Sequence, residues 1–247
     1  MKYLVEVCAG SVEDCLIAEQ QGAHRIELNN AVHLGGLTPS VGTLIEAKKR
    51  VDIPIIAMLR ARPGGFYYND VEIETMFRDA EELIKHGVDG IVFGFLNEDA
   101  SVDVQTTKKF VELAKKHEVE AIFHRAYDRA NDPYEAIEAL IVCGVDRILT
   151  SGQKPTADQG IDLLKDLHKR YGPKIELCVG AGVNISNVDT ILVKTSINQV
   201  HSSFKGWFKD PTTHGKVSYQ YDEKGDYEGV SRQVLKAFID HLENVEK

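Results

Sequence analysis

The chain of 247 residues predicts an α/β fold, a single TIM (β/α)8 barrel, because eight short apolar runs alternate with segments of helical periodicity. Strands that alternate with helices in this way are typical of parallel βαβ units, and a chain of this length can bury a barrel core. The runs expected to form strands are Tyr3–Cys8, Arg25–Asn29, Pro54–Arg60, Gly90–Phe95, Glu120–His124, Arg147–Thr150, Lys174–Val179 and Asn198–His201.

A repeated turn supports the barrel. Strands two, four and six are preceded by a Gly that closes a helix and by a polar turn, in Gln21–Ile26, His86–Ile91 and Cys143–Ile148. Repetition at every second strand indicates quarter-barrel units. The alternative is an open doubly wound sheet, but the G-x-G-x-x-G motif typical of its first turn is missing after Cys8.

We expect one domain over residues 1–247, with a barrel core at about 1–203 and a tail at 204–247. The segment from Phe204 to about Gly229 is rich in Gly, Tyr, Lys and Asp, and we predict a long loop there. A final helix is expected to close the barrel wall with one apolar face, formed by Val230, Val234, Phe238 and Leu242.

Composition excludes several functions. The net charge of −9 and the pI near 5.5 argue against a nucleic-acid surface. No apolar run approaches the roughly 20 residues that a membrane span needs, and the chain enters a strand at once, so no signal peptide is expected. The four cysteines have no paired spacing, which argues against disulfides and structural zinc and indicates the reducing cytoplasm.

The strand ends carry ionisable side chains. Side chains alternate along a strand, so Glu6 and Cys8 are expected to point into the lumen together, and likewise Glu27 and Asn29. Buried charges are costly unless paired, so these groups form either a structural network or a ligand site. The candidate catalytic residues are Glu6, Glu27, Arg60, His124, Asp128 and His201.

Glycine-rich turns follow the last strands. Such turns beside a helix N-terminus hold phosphate or another anion in many barrels. The guanidinium group of Arg, with its paired N–H donors, suits the same anions. The alternative is that the glycines only permit tight turns. The candidate anion-binding residues are Arg62, Ser151, Gly152, Gly180, Gly182, Ser202 and Ser203.

Eight motifs follow one another along the chain. They are Val5–Cys8, Arg25–Leu28, Gly35–Ser40, Arg62–Gly65, Phe123–Asp128, Leu149–Gln153, Gly180–Val183 and Val200–Ser203. In this order they resemble the CutC family of copper homeostasis proteins. The resemblance implies a TIM barrel, a cytoplasmic location, homo-oligomers and a role in copper handling, with Cu(I) held by two inward cysteines that end the first two strands. Cys8 stands at the first of these positions, but Asn29 stands at the second, so we expect weak Cu(I) binding.

Two functions from different classes remain open. One is a copper-binding protein centred on Cys8. The other is a lyase or isomerase acting on a small anionic or sugar-like molecule, in which Glu6, Glu27 and His124 transfer protons and Arg60 holds the negative charge.

Overall fold

Eight parallel strands close into a barrel in the computed structural model, which describes residues 3–245. Each strand pairs with the next in sequence, and β8 pairs with β1. The strands are β1 (Leu4–Ala9), β2 (Arg25–Leu28), β3 (Ile55–Met58), β4 (Gly90–Phe93), β5 (Glu120–Phe123), β6 (Arg147–Thr150), β7 (Glu176–Val179) and β8 (Gln199–Ser202). The predicted TIM barrel is confirmed, and the open sheet is excluded.

Helices connect the strands and cover the barrel. They are α1 (Val12–Gln20), α2 (Val41–Lys48), α3 (Asp70–Lys85), α4 (Val104–Lys116), α5 (Pro133–Cys143), α6 (Ile161–Tyr171), α7 (Val188–Thr195) and α8 (Arg232–Val245), with short 3-10 helices at Val32–Leu34 and Arg125–Arg129. The side chains that accept from backbone amides at the starts of α1 to α5 are Ser11, Ser40, Asn69, Asp103 and Asp132. These caps fix where each helix begins.

The lumen is apolar on one side and polar on the other. Ile56, Met58, Val92 and Ile122, from β3, β4 and β5, form a separate apolar cluster inside the barrel. Charged and polar side chains that include Glu6, Glu27 and His201 lie in the lumen near β1, β2 and β8. Arg147 of β6 is buried as well and pairs with Glu120 and Glu176.

The strands are shorter than expected at two of the candidate catalytic residues, Arg60 and His124. β3 ends at Met58, and the Arg60 amide donates to Thr38 Oγ1 at 2.9 Å instead of to a neighbouring strand. His124 likewise follows β5, whereas His201 lies within β8. Arg60 and His124 therefore lie beyond the strands, above the level of Glu6.

The tail differs from the predicted long loop. Its two ends pair as antiparallel strands, β9 (Lys205–Phe208) and β10 (Tyr227–Val230). The Val230 amide donates to the buried Asp14 carboxylate at 2.7 Å, which ties the tail to the start of α1.

Helix α8 packs with a face shifted from the predicted one. Val234 is 48% exposed, because the buried face of a helix that begins at Arg232 runs through Leu235, Phe238, Ile239 and Leu242. Phe238 and Leu242 are buried as predicted, and Val230 is buried in β10. Within residues 3–245, none of the helices has the length and apolar character needed to span a bilayer.

Candidate functional site

Glu6 lies at the centre of a buried ion-pair network. In the barrel register it stands opposite Arg25 on one side and His201 on the other. Its carboxylate accepts from Arg25 Nε at 2.5 Å and from His201 Nδ1 at 2.7 Å. Burial opposes ionisation, but the charge of Arg25 and the hydrogen bond from His201 outweigh it and hold the pKa of Glu6 well below its ordinary value. Glu6 is therefore ionised and fixes the orientation of the imidazole.

Cys8, Glu27 and His201 come together beside Glu6. The register places Cys8 opposite Glu27, and the donor atoms of the three side chains all lie within 4.8 Å of one another. His201 Nε2 is 4.0 Å from Glu27 Oε2. Asn29 Nδ2 donates to Glu27 Oε2 at 2.9 Å and lies 3.4 Å from Cys8 Sγ. The second oxygen of Glu27, Oε1, is buried without a hydrogen-bond partner.

The protonation of this cluster is strongly perturbed. Burial raises the pKa of Glu27 despite the nearby His201, and burial also raises the pKa of the Cys8 thiol. Burial disfavours the imidazolium, yet the charge of Glu27 and the hydrogen bonds to Cys8 and Glu6 raise the pKa of His201 well above its ordinary value. The two carboxylates thus make the space between them favourable for a positive charge, either a proton on His201 or a metal ion.

The donor set fits a transition-metal ion. A thiolate sulfur, an imidazole nitrogen and a carboxylate oxygen are the ligand types used by zinc and divalent copper. Metal-bound histidines usually donate their other ring nitrogen to a carboxylate, and Glu6 occupies that position at His201 Nδ1. The unpartnered Oε1 of Glu27 is a further acceptor for a cation.

Arg60 and His124 form a second group instead of joining this cluster. The Arg60 guanidinium and the His124 ring flank the ring of Phe66, at 5.1 Å and 4.9 Å from its centroid. Glu6 and Glu27 therefore contact the imidazole of His201, whereas Arg60 and His124 contact Phe66. A pocket shared by all four residues stays a prediction.

His124 is neutral in the folded protein, and this predicts acid sensitivity. Burial and the nearby charge of Arg60 lower the pKa of His124 to about 3. The unfolded chain therefore binds a proton below about pH 6.5 that the folded chain does not bind. Stability should fall with decreasing pH by about 1.4 kcal/mol per unit from this residue alone.

The measurement is the free energy of unfolding in urea between pH 6 and pH 4.5 for wild type and His124→Gln. The wild-type slope should be steeper by about one proton. Parallel slopes for the two proteins would contradict the assignment of a neutral His124.

The carboxylate of Asp128 is fully occupied by the loop after β6. It accepts from Thr150 Oγ1 at 2.6 Å, from the amides of Ser151 and Gln153 at 3.1 Å each, and from Arg125 Nε at 2.8 Å. These contacts organise the loop, which also contains Gly152. A catalytic role for Asp128 stays a prediction, and its geometry supports a positioning role.

The other predicted anion-binding residues have local contacts. Arg62 pairs with Glu72 at 2.5 Å, and Ser202 Oγ donates to the carbonyl of Val183 at 2.8 Å. Gly152 and Gly182 adopt φ of +69° and +70°, a region that favours glycine. Gly180 lies beside the ring of His201: a Cβ added to this glycine would be 3.4 Å from His201 Cδ2. Their role as an anion cradle stays a prediction.

A cavity of about 560 Å³ has Cys8 among its lining residues. The tail forms one wall through Lys205, Phe208, Tyr221 and Tyr227, and Ser203 also lines it. This volume is within the usual range for small-ligand sites. The contribution of the tail to this cavity could not be inferred from strand periodicity. Arg25 could have been predicted to face the lumen, because it lies two residues before Glu27 on β2.

The fold and this site define a TIM barrel with a cysteine–histidine–carboxylate cluster near its carboxyl-terminal mouth. The CutC family model matches residues 3–206. The chain belongs to the CutC family. Curated relatives named CutC are 42% identical in Treponema denticola, over 88% of this chain and 87% of that protein, and 43% identical in Bacteroides fragilis, over 81% and 80%.

Solved structures agree with this assignment. A CutC protein of Streptococcus agalactiae, whose description names copper homeostasis, superposes with a TM-score of 0.77 at 28% identity, covering 81% of this chain and 98% of that one. Phosphoribosyl anthranilate isomerase from Thermotoga maritima superposes with a TM-score of 0.58 at 13% identity, covering 98% and 99%. The second likeness shows the fold alone.

Proposed function

We propose that this CutC-family protein takes part in copper homeostasis by binding one copper ion at Cys8, Glu27 and His201. The observation that carries the proposal is the approach of three donor atoms to within 4.8 Å of one another inside a barrel with two buried carboxylates. Cys8 also lines the cavity of about 560 Å³, so one of the three ligands borders open space.

The donor set favours divalent over monovalent copper. Cu(I) prefers soft sulfur ligands, and the groups around Cys8 are an amide, a carboxylate and an imidazole. One sulfur with nitrogen and oxygen suits Cu(II), which has the highest affinity among divalent first-row ions for a given site. Cu(I) binding is expected to be weak, because Asn29 occupies the place of a second thiol.

The proposal is tested by titrating the protein with Cu(II) in competition with a chelator of known affinity. Wild type should bind one ion per chain, and Cys8→Ala should weaken binding by more than about 100-fold, since loss of an outer-shell partner alone costs about 10- to 100-fold. Cys143→Ala is the matched control, because its sulfur contacts the carbonyl of Val104, on the helix layer. Equal binding by wild type and Cys8→Ala would contradict the proposal.

A second candidate function is acid–base catalysis on a small molecule, as a lyase or isomerase. It is favoured by the two buried carboxyl groups on either side of His201. Glu6 is held ionised, whereas burial raises the pKa of Glu27. Carboxyl groups whose pKa values are separated by their environment are a common acid–base device. His201 would move the proton, and Glu6 would hold its orientation.

The two functions differ in what stabilises the protein. A metal-free thermal-shift screen of small carboxylates and sugar phosphates should reveal a substrate, and a ligand at 100 times its dissociation constant adds about 2.7 kcal/mol. The shift should disappear in Glu27→Gln if Glu27 contacts the substrate. A screen in which every ligand stabilises wild type and Glu27→Gln equally would show that none of them contacts Glu27, and would leave the catalytic function without a substrate.

A further inference from the structure

Arg60 is a buried cation without a carboxylate partner. It is 6% exposed, and within residues 3–245 no Asp or Glu lies at ion-pair distance from its guanidinium. Its Nη1 donates to the carbonyls of Gly35 and Gly36 at 3.1 and 3.3 Å, and Nη2 donates to the carbonyl of Gly64 at 2.7 Å. These contacts fix the fork in place, but neutral carbonyls leave its charge uncompensated.

Three buried polar groups near Arg60 lack a well-formed hydrogen bond. They are Arg60 Nε, the hydroxyl of Tyr68 and His124 Nε2. The Tyr68 hydroxyl faces the guanidinium closely enough for a weak hydrogen bond, and this bond and the charge of Arg60 lower the pKa of Tyr68, although burial is the larger influence and raises it. Buried polar atoms in folded proteins nearly always have a partner, so three together need an explanation.

All three groups are available as donors. His124 Nδ1 accepts from the amide of Ala126 at 3.1 Å, so the neutral ring carries its proton on Nε2. The N–H of Arg60 Nε can only donate, and the Tyr68 hydroxyl is able to donate. An oxyanion can accept hydrogen bonds from two N–H groups and one hydroxyl and can also neutralise the positive charge of Arg60.

Phe66 packs against both Arg60 and His124. Its ring centroid lies 5.1 Å from the guanidinium carbon of Arg60 and 4.9 Å from the centroid of the His124 ring, and the residue is only partly buried. The preceding loop is exposed and contains Gly64 at φ +100° and Gly65 with open space around it. A partly exposed ring in contact with two buried donors is the group that would have to move for a ligand to reach them.

We propose that Arg60, Tyr68 and His124 form an oxyanion-binding site, for the carboxylate or phosphate group of a small ligand, with Phe66 as its cover. His124 acts there as a neutral hydrogen-bond donor, in contrast to the proton-transfer role that the sequence suggested. The site lies beyond β3 and β5, shares none of its three residues with the Cys8 cluster, and stands independently of copper binding.

The test measures the melting temperature of the metal-free protein against inorganic phosphate and against malonate, each referred to chloride at equal ionic strength. Wild type should be stabilised in a saturable way by at least one of them, and the more effective probe identifies the phosphate or the carboxylate as the preferred group. Tyr68→Phe should weaken the apparent affinity by roughly tenfold, since it removes one hydrogen bond to a charged group. Arg60→Met should abolish saturable binding.

Matched controls separate this site from general salt effects. Tyr67→Phe changes the neighbouring tyrosine, which is 55% exposed, and Arg78→Met changes an arginine whose side chain is 80% exposed on α3. Both should respond like wild type. The proposal is overturned if wild type shows no stabilisation beyond chloride, or if Tyr68→Phe binds both anions as wild type does. Tyr68→Phe removes only a hydroxyl, so it gives a result even if Arg60→Met does not fold.

Discussion

Replacing Glu6 with Gln is expected to lower the free energy of unfolding by about 3–5 kcal/mol, the usual cost of removing one partner from a buried ion pair. Glu6 accepts from both Arg25 and His201, and the side chains of Glu6 and Arg25 are only 2% and 7% exposed. A neutral amide would leave the Arg25 charge without its partner and would present N–H groups toward other donors. Urea denaturation at pH 7 measures the loss.

Glu27→Gln, in contrast, is expected to leave the free energy of unfolding unchanged or to raise it. Glu27 Oε1 has no partner, and its closest cationic group, His201 Nε2, is 4.0 Å away from Oε2. Functional residues often cost stability, so Glu27→Gln should unfold at the same or a higher denaturant concentration than wild type, and should lose metal binding. If Glu6→Gln and Glu27→Gln lose equal stability, the whole cluster is a structural ion-pair network and not a binding site.

An Asn29→Cys variant is expected to gain strong Cu(I) binding. The Asn29 amide nitrogen is 3.4 Å from Cys8 Sγ, so a thiol on the same residue would lie beside the first one. Two thiolates match the preference of Cu(I) for soft ligands. The affinity under reducing conditions should rise by more than about 100-fold over wild type, because a whole ligand is added where an outer-shell partner alone is worth about 10- to 100-fold.

Asn29→Ser is the control for this gain, since it removes the amide without adding sulfur. Competition with a Cu(I) chelator should place Asn29→Ser near wild type and Asn29→Cys far above both. A wild-type protein that already binds Cu(I) as tightly as Asn29→Cys would show that His201 and Glu27 replace the second thiol fully, and would overturn the preference for Cu(II).

Strand parity explains how much of the site the sequence could predict. Alternation predicted that Glu6, Cys8, Glu27 and Asn29 face the lumen, and the barrel register then places Cys8 opposite Glu27. The approach of His201 to these residues depends on the closure of β8 against β1. That closure joins positions 195 residues apart, and no local pattern specifies the resulting contact distances.

The side chains beyond the strands were harder to place. Arg60 and His124 follow strand ends, so parity no longer fixes their direction, and loop carbonyls and Phe66 decide where they lie. The tail hairpin was missed for a related reason. β9 and β10 are joined by the long segment 209–226, which has no two-residue turn signal of the kind that predicts a hairpin.

The most direct test of the copper site is the coordination of a one-to-one Cu(II) complex, measured anaerobically by X-ray absorption and electron paramagnetic resonance. The structure predicts one sulfur ligand and at least one imidazole nitrogen, with the sulfur signal absent in Cys8→Ala and the imidazole coupling absent in His201→Gln. A Cu(II) ion with only nitrogen and oxygen ligands, while Cys8 still reacts as a free thiol, would contradict the assignment of the metal to this cluster.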